Sequence, residues 1–450
     1  MAHTAHDLQF DQFLSHQTKT APLPLVRVHR ATPSSRLRLL HPPCVSEAEQ
    51  VEDGERALYD ALSIDEQGRQ LGSIRVAHPP EGPNRLDAYL GGIAGEQGHE
   101  EVACIIETTH GLLITSLLEQ GWPVSPVNPR TVDRHRTPSG AKTDTIDAYL
   151  LAKTGRADFA DLRRLNPDGE LIQALKELTR DQDALVQMQT RLLNQLTACL
   201  KAYYPAALTA FSKLAQPTTL AFLRAYPTPE QARKASVEEM EILLKKQRYP
   251  GVRAVAHCFF AHFQPPSLQA NQVTTRTKAR LTLVLPDQLE PLIHQIASYD
   301  QEIERLFLTA EDHDLFCALP GAGRRLAPRL LAEIGDDRSH YQSATSLQAL
   351  AGTSPVLFQS GMYAKAHRRL RCIKPLRNAL HQFAFHSTRS ESWAKDYYQR
   401  KRAEGKSHTV AVRALANVWV PILFAVWTKK EPYQTTTFET AQLAHARCIA

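Results

Sequence analysis

The sequence has no cysteine pair at the spacing of a metal ribbon. Its seven cysteines are scattered along 450 residues without a CxxC pair, which argues against a disulfide framework or a zinc ribbon and favours reduced thiols. No apolar run approaches the ~20 residues that span a bilayer, and the N-terminus lacks the basic-then-apolar order of a signal peptide. These absences predict a cytoplasmic protein with no membrane segment.

Two common catalytic motifs are also missing. The chain has no GxxxxGK[ST] loop for a nucleotide phosphate, and its histidines form no HExxH pair. What is present is the composition of a soluble globular protein, with 43% hydrophobic and 22% charged residues. The formal charge of +6 is compatible with a polyanionic partner. The length predicts two or three domains.

The first half of the chain alternates predicted strands with predicted helices. ALYDALSIDEQGRQLGSIRVAH is typical of two strands joined at EQGR, VACIIET of a core strand, and AKTDTIDAYLLA of a helix. This alternation predicts an α/β sheet. Residues 1–50 are rich in Arg, Pro and Ser without a period, so we expect them to have little structure of their own.

The second half is predominantly helical. Leucines recur at helical spacing over 171–204, and 287–308 has a similar pattern, so the two segments are candidates for an antiparallel coiled coil. Residues 206–286 between them are predicted to be helical with proline breaks. The glycine-flanked turn in LPGAGRRLAPRLL precedes another helix, and TSPVLFQSGMY is predicted to be a loop before helices from Ile373 to about Tyr433.

Three acidic residues stand where an α/β sheet places a metal site. Asp144 and Asp147 are three residues apart and share one helix face. Like charges there repel unless a cation neutralises them, and Mg²⁺ takes oxygen ligands; helix capping is the alternative explanation. Glu107 ends an apolar strand, which is the usual edge for a site.

A further acid is expected from the first strand of the sheet. Asp53 is the candidate by spacing, although its surroundings, CVSEAEQVEDGER, make a poor buried strand. Asp60 and Asp65 remain alternatives for the same position.

Several of these stretches together resemble a known family. IIETTHGLL, VNPRTVDRHR and AKTDTIDAYLLA resemble the N-terminal DEDD domain of the bridge-RNA-guided insertion-sequence transposases of the IS110 type. LPGAGRRLAPRLLAEIGD, ALAGTSPVLFQSG and YYQRKRAEG resemble the second domain of that family. The motifs occur in the family's order over residues 60–205 and 312–433.

The resemblance implies a fold and a domain order. It implies an α/β N-terminal RNase-H-like (RuvC-like) domain, a helical coiled-coil middle and a mainly α C-terminal transposase domain. The corresponding divisions are a poorly structured extension, the DEDD domain, a coiled-coil region with an insert, the serine-bearing domain and a tail, at residues 1–50, 51–165, 166–311, 312–433 and 434–450.

The resemblance also implies the site residues. The family's acidic tetrad falls on Asp53, Glu107, Asp144 and Asp147, which would hold Mg²⁺, and its nucleophilic serine falls on Ser360. A serine before a glycine is by itself ordinary turn chemistry. Basic residues near these motifs are candidates for nucleic-acid binding, with a solvated basic loop as the alternative: Lys142, Arg324, Arg325, Arg368, Arg369 and Arg371.

The function implied is that of a DNA transposase or recombinase that moves an insertion sequence. Ser360 would attack a DNA phosphodiester with Mg²⁺ assistance, and strand exchange would follow. The implied partners are the element's DNA ends, the target DNA, a guide RNA and further copies of the chain in a dimer or tetramer. Two alternatives remain, namely a metal-dependent junction nuclease and a catalytically decayed nucleic-acid-binding remnant.

Overall fold

The computed structural model of the chain forms two compact units, Met1–Pro167 and Asp168–Ala450. The residues it describes are 25–31, 58–77, 81–107, 111–127, 131–132, 144–265, 270–361, 363–437 and 440. Asp53 and Lys142 lie outside these residues, and so does the side chain of Asp144.

The first unit is built on a five-stranded sheet of order β3-β2-β1-β4-β5. Strand β1 pairs antiparallel with β2 and parallel with β4. The hairpin β2–β3 is antiparallel, whereas β5 is parallel to β4. The strands are Leu25–Ala31, Leu58–Ile64, Gln70–Ala77, Ala103–Ile106 and Val124–Pro126.

The central strand β1 corrects one expectation. Little structure was expected within residues 1–50, but Leu25–Ala31 forms the strand between β2 and β4. Its sequence, LVRVHRA, interleaves arginine and histidine with the aliphatic residues. The apolar run that normally marks a strand buried on both faces is therefore absent.

Helices cover both faces of this sheet. Helices α1 (Gly82–Ala94) and α2 (Leu112–Glu119) pack on the face that includes Ala61, Cys104 and Ile106. Helix α3 (Asp144–Ala157) packs on the other face, in a cluster with Leu62, Ile64, Ala103 and Ile105. The alternation of buried residues along β2 and β4 is what a sheet covered on both sides requires.

The second unit begins with a long pair of helices. Helices α4 (Glu170–Tyr203) and α10 (Gln272–Phe307) run antiparallel, because Gln182 bonds to Asp300 at one end and Cys199 contacts Thr282 at the other. The predicted pairing of two long helical segments is thus present, while supercoiling stays a prediction. Helix α10 starts earlier than expected and continues through Pro286 and Pro291.

A small helical bundle connects the far ends of the pair, in the segment predicted to be helical with proline breaks. Prolines begin three of its helices, where a missing N–H costs nothing. Helices α5–α9 are Pro205–Ala210, Pro217–Ala225, Pro229–Lys234, Val237–Lys246 and Val252–Phe263.

The rest of the second unit is a helical domain with one hairpin. Helices α11–α16 are His313–Cys317, Gly323–Ile334, Ala344–Leu350, Lys374–Ser387, Ser392–Ala403 and His408–Lys429. Strands β6 (Val356–Ser360) and β7 (Tyr363–His367) form a hairpin where a loop was expected. The QSGMY sequence supplies the tight turn between them.

Helix α16 organises the core of this domain. Trp419 and Trp427 are fully buried, and their indole N–H groups donate to the Ser387 hydroxyl and the Gly335 carbonyl at 2.8 and 3.1 Å. In the described part of the chain, this is the one helix with the length and apolarity of a membrane span. Its tryptophans are instead packed in the core of the second unit.

Candidate active site and nucleic-acid interface

Glu107 and the start of helix α3 lie at the same edge of the first sheet. Glu107 directly follows β4. At the far end of α3, Arg156 donates to the Glu66 carbonyl in the β2–β3 turn at 2.9 Å. That turn follows Ile64, which pairs with the first residue of β1, so it lies at the edge where the parallel strands β1 and β4 begin. The opposite end of α3, with Asp147, therefore points toward the edge where β4 ends.

The two acids also share one face of the sheet. Ala103 and Ile105 pack in the α3 cluster, and Glu107, two residues further, belongs to the same face by strand alternation. Asp147 is 4% exposed and precedes Ala148, another member of that cluster. Both predicted ligands are thus carried by elements that the fold holds together.

The acids suit a hard divalent cation by their donor type. Among the side chains that the structure describes, no group of three acids, histidines or cysteines could hold a metal ion. The predicted set reaches beyond those side chains, because it includes Asp53 and the carboxylate of Asp144. Glu107 and Asp147 offer oxygen only, which Mg²⁺ and similar ions bind.

The strand beside Glu107 contributes no carboxylate. Strand β1 reads LVRVHRA, and by register His29 is the residue next to Glu107. Opposite His29, on β2, stands Asp60, which is 8% exposed and belongs to the face that α3 covers. Asp60 accepts two hydrogen bonds from Arg75, at 2.6 and 2.7 Å. It lies two strands, or ~10 Å, from Glu107.

Asp60 and Asp65, the two alternatives to Asp53, lie near opposite ends of strand β2. Asp65 follows the end of β2, at the edge opposite Glu107, and its carboxylate accepts from the backbone and the side chain of Arg69 at 2.8 and 2.7 Å. It closes the β2–β3 turn. Asp60 is the acid in the described part of 53–65 that shares both an edge and a face with Glu107 and Asp147.

Ser360 stands at the tip of the second unit's hairpin. It is the last residue of β6, pairs with Tyr363, and is exposed. Gly361, with a φ of +56°, begins the two-residue connection, which favours glycine there. The hydroxyl is therefore presented on a narrow projection that a large substrate can reach.

The two faces of this hairpin differ in chemistry. Directly paired residues share a face, so Ser360 and Tyr363 lie with Phe358 and Lys365, and with His367 at the foot. The other face carries the uncharged residues Leu357, Gln359, Ala364 and Ala366. The serine thus lies on the aromatic and cationic face. On this face the rings of Phe358 and His367 contact edge to face, with their centroids 4.9 Å apart.

The predicted basic residues fall into two environments. Arg368 and Arg371 are exposed after β7, and Arg369 between them is half-buried. In the first turn of α12, Arg324 is paired with Glu304, and Arg325 binds Asp300 at 2.7 Å. The first group is available to a polyanion, whereas the second already has carboxylate partners on α10.

The ion pair of Arg325 is the first of three such pairs along one face of α12. Four and eight residues further along α12, Arg329 binds Asp183 and Glu333 binds Arg180, each at 2.8 Å. These partners lie on α4. One face of α12 is therefore held to both long helices by charge pairs at successive turns, and the arginines there also serve the fold.

Sequence reasoning missed two arginines near the hairpin, Arg377 on α14 and Arg413 on α16. Burial and the nearby Arg368 lower the pKa of Arg413. A signal was present for Arg413, since it is the one charged residue in the run TVAVRALANVWVPILFAVW. A lone cation in an apolar helix needs a specific partner.

Comparisons with known proteins match both units. Residues 57–205 match the IS110-type DEDD transposase family, and residues 313–399 match the family described as "Transposase IS116/IS110/IS902 family". The first match begins after Asp53. The family implies an RNase-H-like fold for the first unit.

Individual relatives cover most of the chain. A mini-circle putative transposase for IS117 from Streptomyces coelicolor is 30% identical over 80% of this chain and 88% of its own length. An uncharacterized 44.8 kDa protein of insertion element IS116 from Streptomyces clavuligerus is 30% identical over 84% and 94%, and an uncharacterized 42 kDa protein of IS900 from Mycobacterium paratuberculosis is 28% identical over 86% and 98%. The chain therefore belongs to the IS110-type insertion-sequence transposases.

Proposed function

We propose that this transposase cuts and rejoins DNA through a covalent bond to Ser360, assisted by acids of the RNase-H-like unit. The observation that carries the proposal is the placement of Ser360 at an exposed hairpin tip, on the face that also bears aromatic and cationic side chains. An exposed hydroxyl on such a projection is accessible to the backbone of a DNA duplex.

The chemical step is an exchange of phosphate esters. The Ser360 hydroxyl loses its proton as its oxygen forms a bond to phosphorus, one P–O bond to deoxyribose breaks, and the departing sugar oxygen takes up a proton, so that no net proton is consumed. The phosphoserine conserves the ester, so a new DNA hydroxyl can reverse the step on another strand without ATP. Glu107, Asp144 and Asp147 would hold a divalent ion, which we infer to be Mg²⁺ and which would polarise the phosphate and neutralise its charge.

The partners follow from the family and from this chemistry. The DNA partners are the element's ends and its target, and target choice is assigned to a guide RNA. Acids of one copy acting with the serine of another would require a dimer or a tetramer. The first acid of the set is Asp53 or Asp60. Reaction of cytoplasmic DNA needs no membrane segment.

A second candidate is a binding remnant that no longer cleaves. It is favoured by one observation, namely that β1 carries no carboxylate beside Glu107. Such a chain would still bind nucleic acid through its basic residues but would form no covalent product.

The test is trapping of a protein–DNA adduct on DNA that carries both borders of the element. With Mg²⁺ and the guide RNA present, the wild-type chain should give an adduct on a denaturing gel and Ser360→Ala should give none. Ser354→Ala is the matched control, because it removes another hydroxyl of the same segment and should leave the adduct intact.

The outcomes separate the candidates. Cleavage by Ser360→Ala without an adduct would instead identify a metal-dependent junction nuclease. Binding without cleavage by the wild-type chain would identify the remnant. Asp147→Asn should stop cleavage while nucleic-acid binding persists, and full cleavage by this variant would exclude a metal role for Asp147.

A further inference from the structure

Three arginines converge beside the Ser360 hairpin without a carboxylate among them. Arg368 follows β7, Arg377 lies on α14 and Arg413 lies on α16. Within the described residues, none of the three forms an ion pair with an acid. Uncompensated like charges at one place cost free energy in the folded protein, so the cluster needs an explanation outside the fold.

His381 lies close enough to these three arginines for their charges to act on it. It lies one helical turn after Arg377, on the same face of α14. Burial, followed by the charges of Arg377, Arg413 and Arg368, lowers the pKa of His381 to about 4. The imidazole is therefore neutral near pH 7, and the arginines carry the whole positive charge of the cluster.

Two polar atoms are buried without a partner in the described structure, Nε2 of His381 and Nε of Arg369, the residue after Arg368. Buried polar atoms are nearly always hydrogen-bonded, and each exception asks for a missing partner. Arg377 is only weakly engaged, by Cys372 Sγ at 3.7 Å and the Asn378 amide oxygen at 3.3 Å. Its donors remain able to turn to a stronger acceptor.

The cluster lies at the foot of the hairpin. Asn417, one turn after Arg413 on α16, accepts a hydrogen bond from the Thr353 hydroxyl at 3.0 Å, and its carbonyl accepts from Gln348 at 2.8 Å. Thr353 precedes β6 by three residues. The five residues of β6 place the tip ~15 Å from this foot, a distance of a few nucleotides along a strand.

We propose that Arg368, Arg377 and Arg413, with Arg369 and His381, form a binding site for one backbone phosphodiester of the nucleic acid engaged by the hairpin. The inference rests on the proposed function in that the hairpin meets nucleic acid, but it does not depend on Ser360 being the nucleophile. A phosphate supplies the negative charge that the arginines lack and acceptor oxygens for their N–H groups. The phosphate belongs to DNA or to the guide RNA, and the two arms of the test distinguish them.

The test compares Arg413→Gln with Arg305→Gln, both in a Ser360→Ala background so that no covalent product forms. Arg305 is exposed and already paired with Glu302 at 2.6 Å, so its loss removes the same charge from a neutralised pair. Binding of border DNA and of the guide RNA is measured separately across a salt series. Arg413→Gln should weaken binding of one polymer about tenfold and reduce its salt slope by about one, and the polymer affected identifies the source of the phosphate.

A second readout separates a ligand site from a structural role. Without nucleic acid, Arg413→Gln should unfold at the same temperature as the parent or higher, because it relieves repulsion in the cluster. Arg413→Lys keeps the charge and should retain most of the binding. Equal binding of both polymers by Arg413→Gln and Arg305→Gln, or a fall in melting temperature with unchanged salt slopes, would overturn the proposal.

Discussion

Two β-hairpins in the described part of the chain, β2–β3 and β6–β7, differ in how far their side chains are buried. In β2–β3, Ala61, Leu62 and Ile64 are buried between helices on both faces of a sheet. In β6–β7, nearly every side chain is exposed, and Leu357 remains 73% exposed. The first hairpin is held by its own unit. The second is stabilised by its ladder and turn, and its side chains are left for a partner.

The largest difference expected between the hairpins is in stability. Leu62→Ala should lower the free energy of unfolding of the first unit by about 2–5 kcal/mol, because it leaves a cavity between β2 and α3. Leu357→Ala removes the same atoms from an exposed position and should change stability by less than about 0.5 kcal/mol. Hydrogen exchange of peptides from each unit in a urea series measures both, and similar losses would contradict the comparison.

The next difference is in binding. Phe358 and Tyr363, 56% and 57% exposed, lie on the face of Ser360, and exposed aromatics beside cations suit unstacked bases. Phe358→Ala with Tyr363→Ala should weaken single-stranded DNA binding about tenfold or more. Leu357→Ala, on the other face, is the matched control. Titration with an oligonucleotide containing 2-aminopurine reports base stacking. Equal losses of DNA binding for substitutions on the two faces would refute the prediction.

A smaller difference is expected at the turns. Gly68 and Gly361 have φ values of +82° and +56°, so an alanine at either position is strained by about 1 kcal/mol. Gly68→Ala should lower the stability of the first unit by that amount. Gly361→Ala should leave the melting of the helical domain unchanged and reduce adduct formation, because the strain falls on the hairpin tip.

The last comparison concerns Asp60→Asn, for which only a small loss of stability is expected. Arg75, its partner, is largely exposed, so loss of the pair should cost about 1 kcal/mol or less. Cleavage is the informative measurement. If Asp60 supplies the first acid, this variant should lose cleavage with little change in stability, and retained cleavage would assign the role to Asp53.

The comparison also shows what the sequence could reveal. The strand before Glu107 and the helix that carries Asp147 were predictable because each has a clear local pattern, while the metal role of the two acids stays a prediction. Strand β1 was not, because Arg27 and His29 interrupt its pattern and only pairing with β2 and β4 defines it. The path of α10 through Pro286 was hidden because tertiary burial of that proline outweighs its local preference.

The helical domain gives the same lesson. The segment TSPVLFQSGMY was predicted to be a loop, whereas the pairing of β6 with β7 makes it a hairpin with Ser360 at its tip. The role of Ser360 stays a prediction. The convergence of Arg368, Arg377 and Arg413 depends on the packing of α14 against α16. No spacing along the chain encodes that contact.

The length of the antiparallel helices α4 and α10 sets the distance between two parts of the second unit. Helix α4 has 34 residues and is therefore ~50 Å long. One end is fixed to α12 by ion pairs at successive turns, and the other end carries the small bundle α5–α9. The distance between the small bundle and the helical domain is therefore set by the number of turns in the helix pair. Removing matched turns from both helices would shorten it in steps of ~5 Å without touching either end.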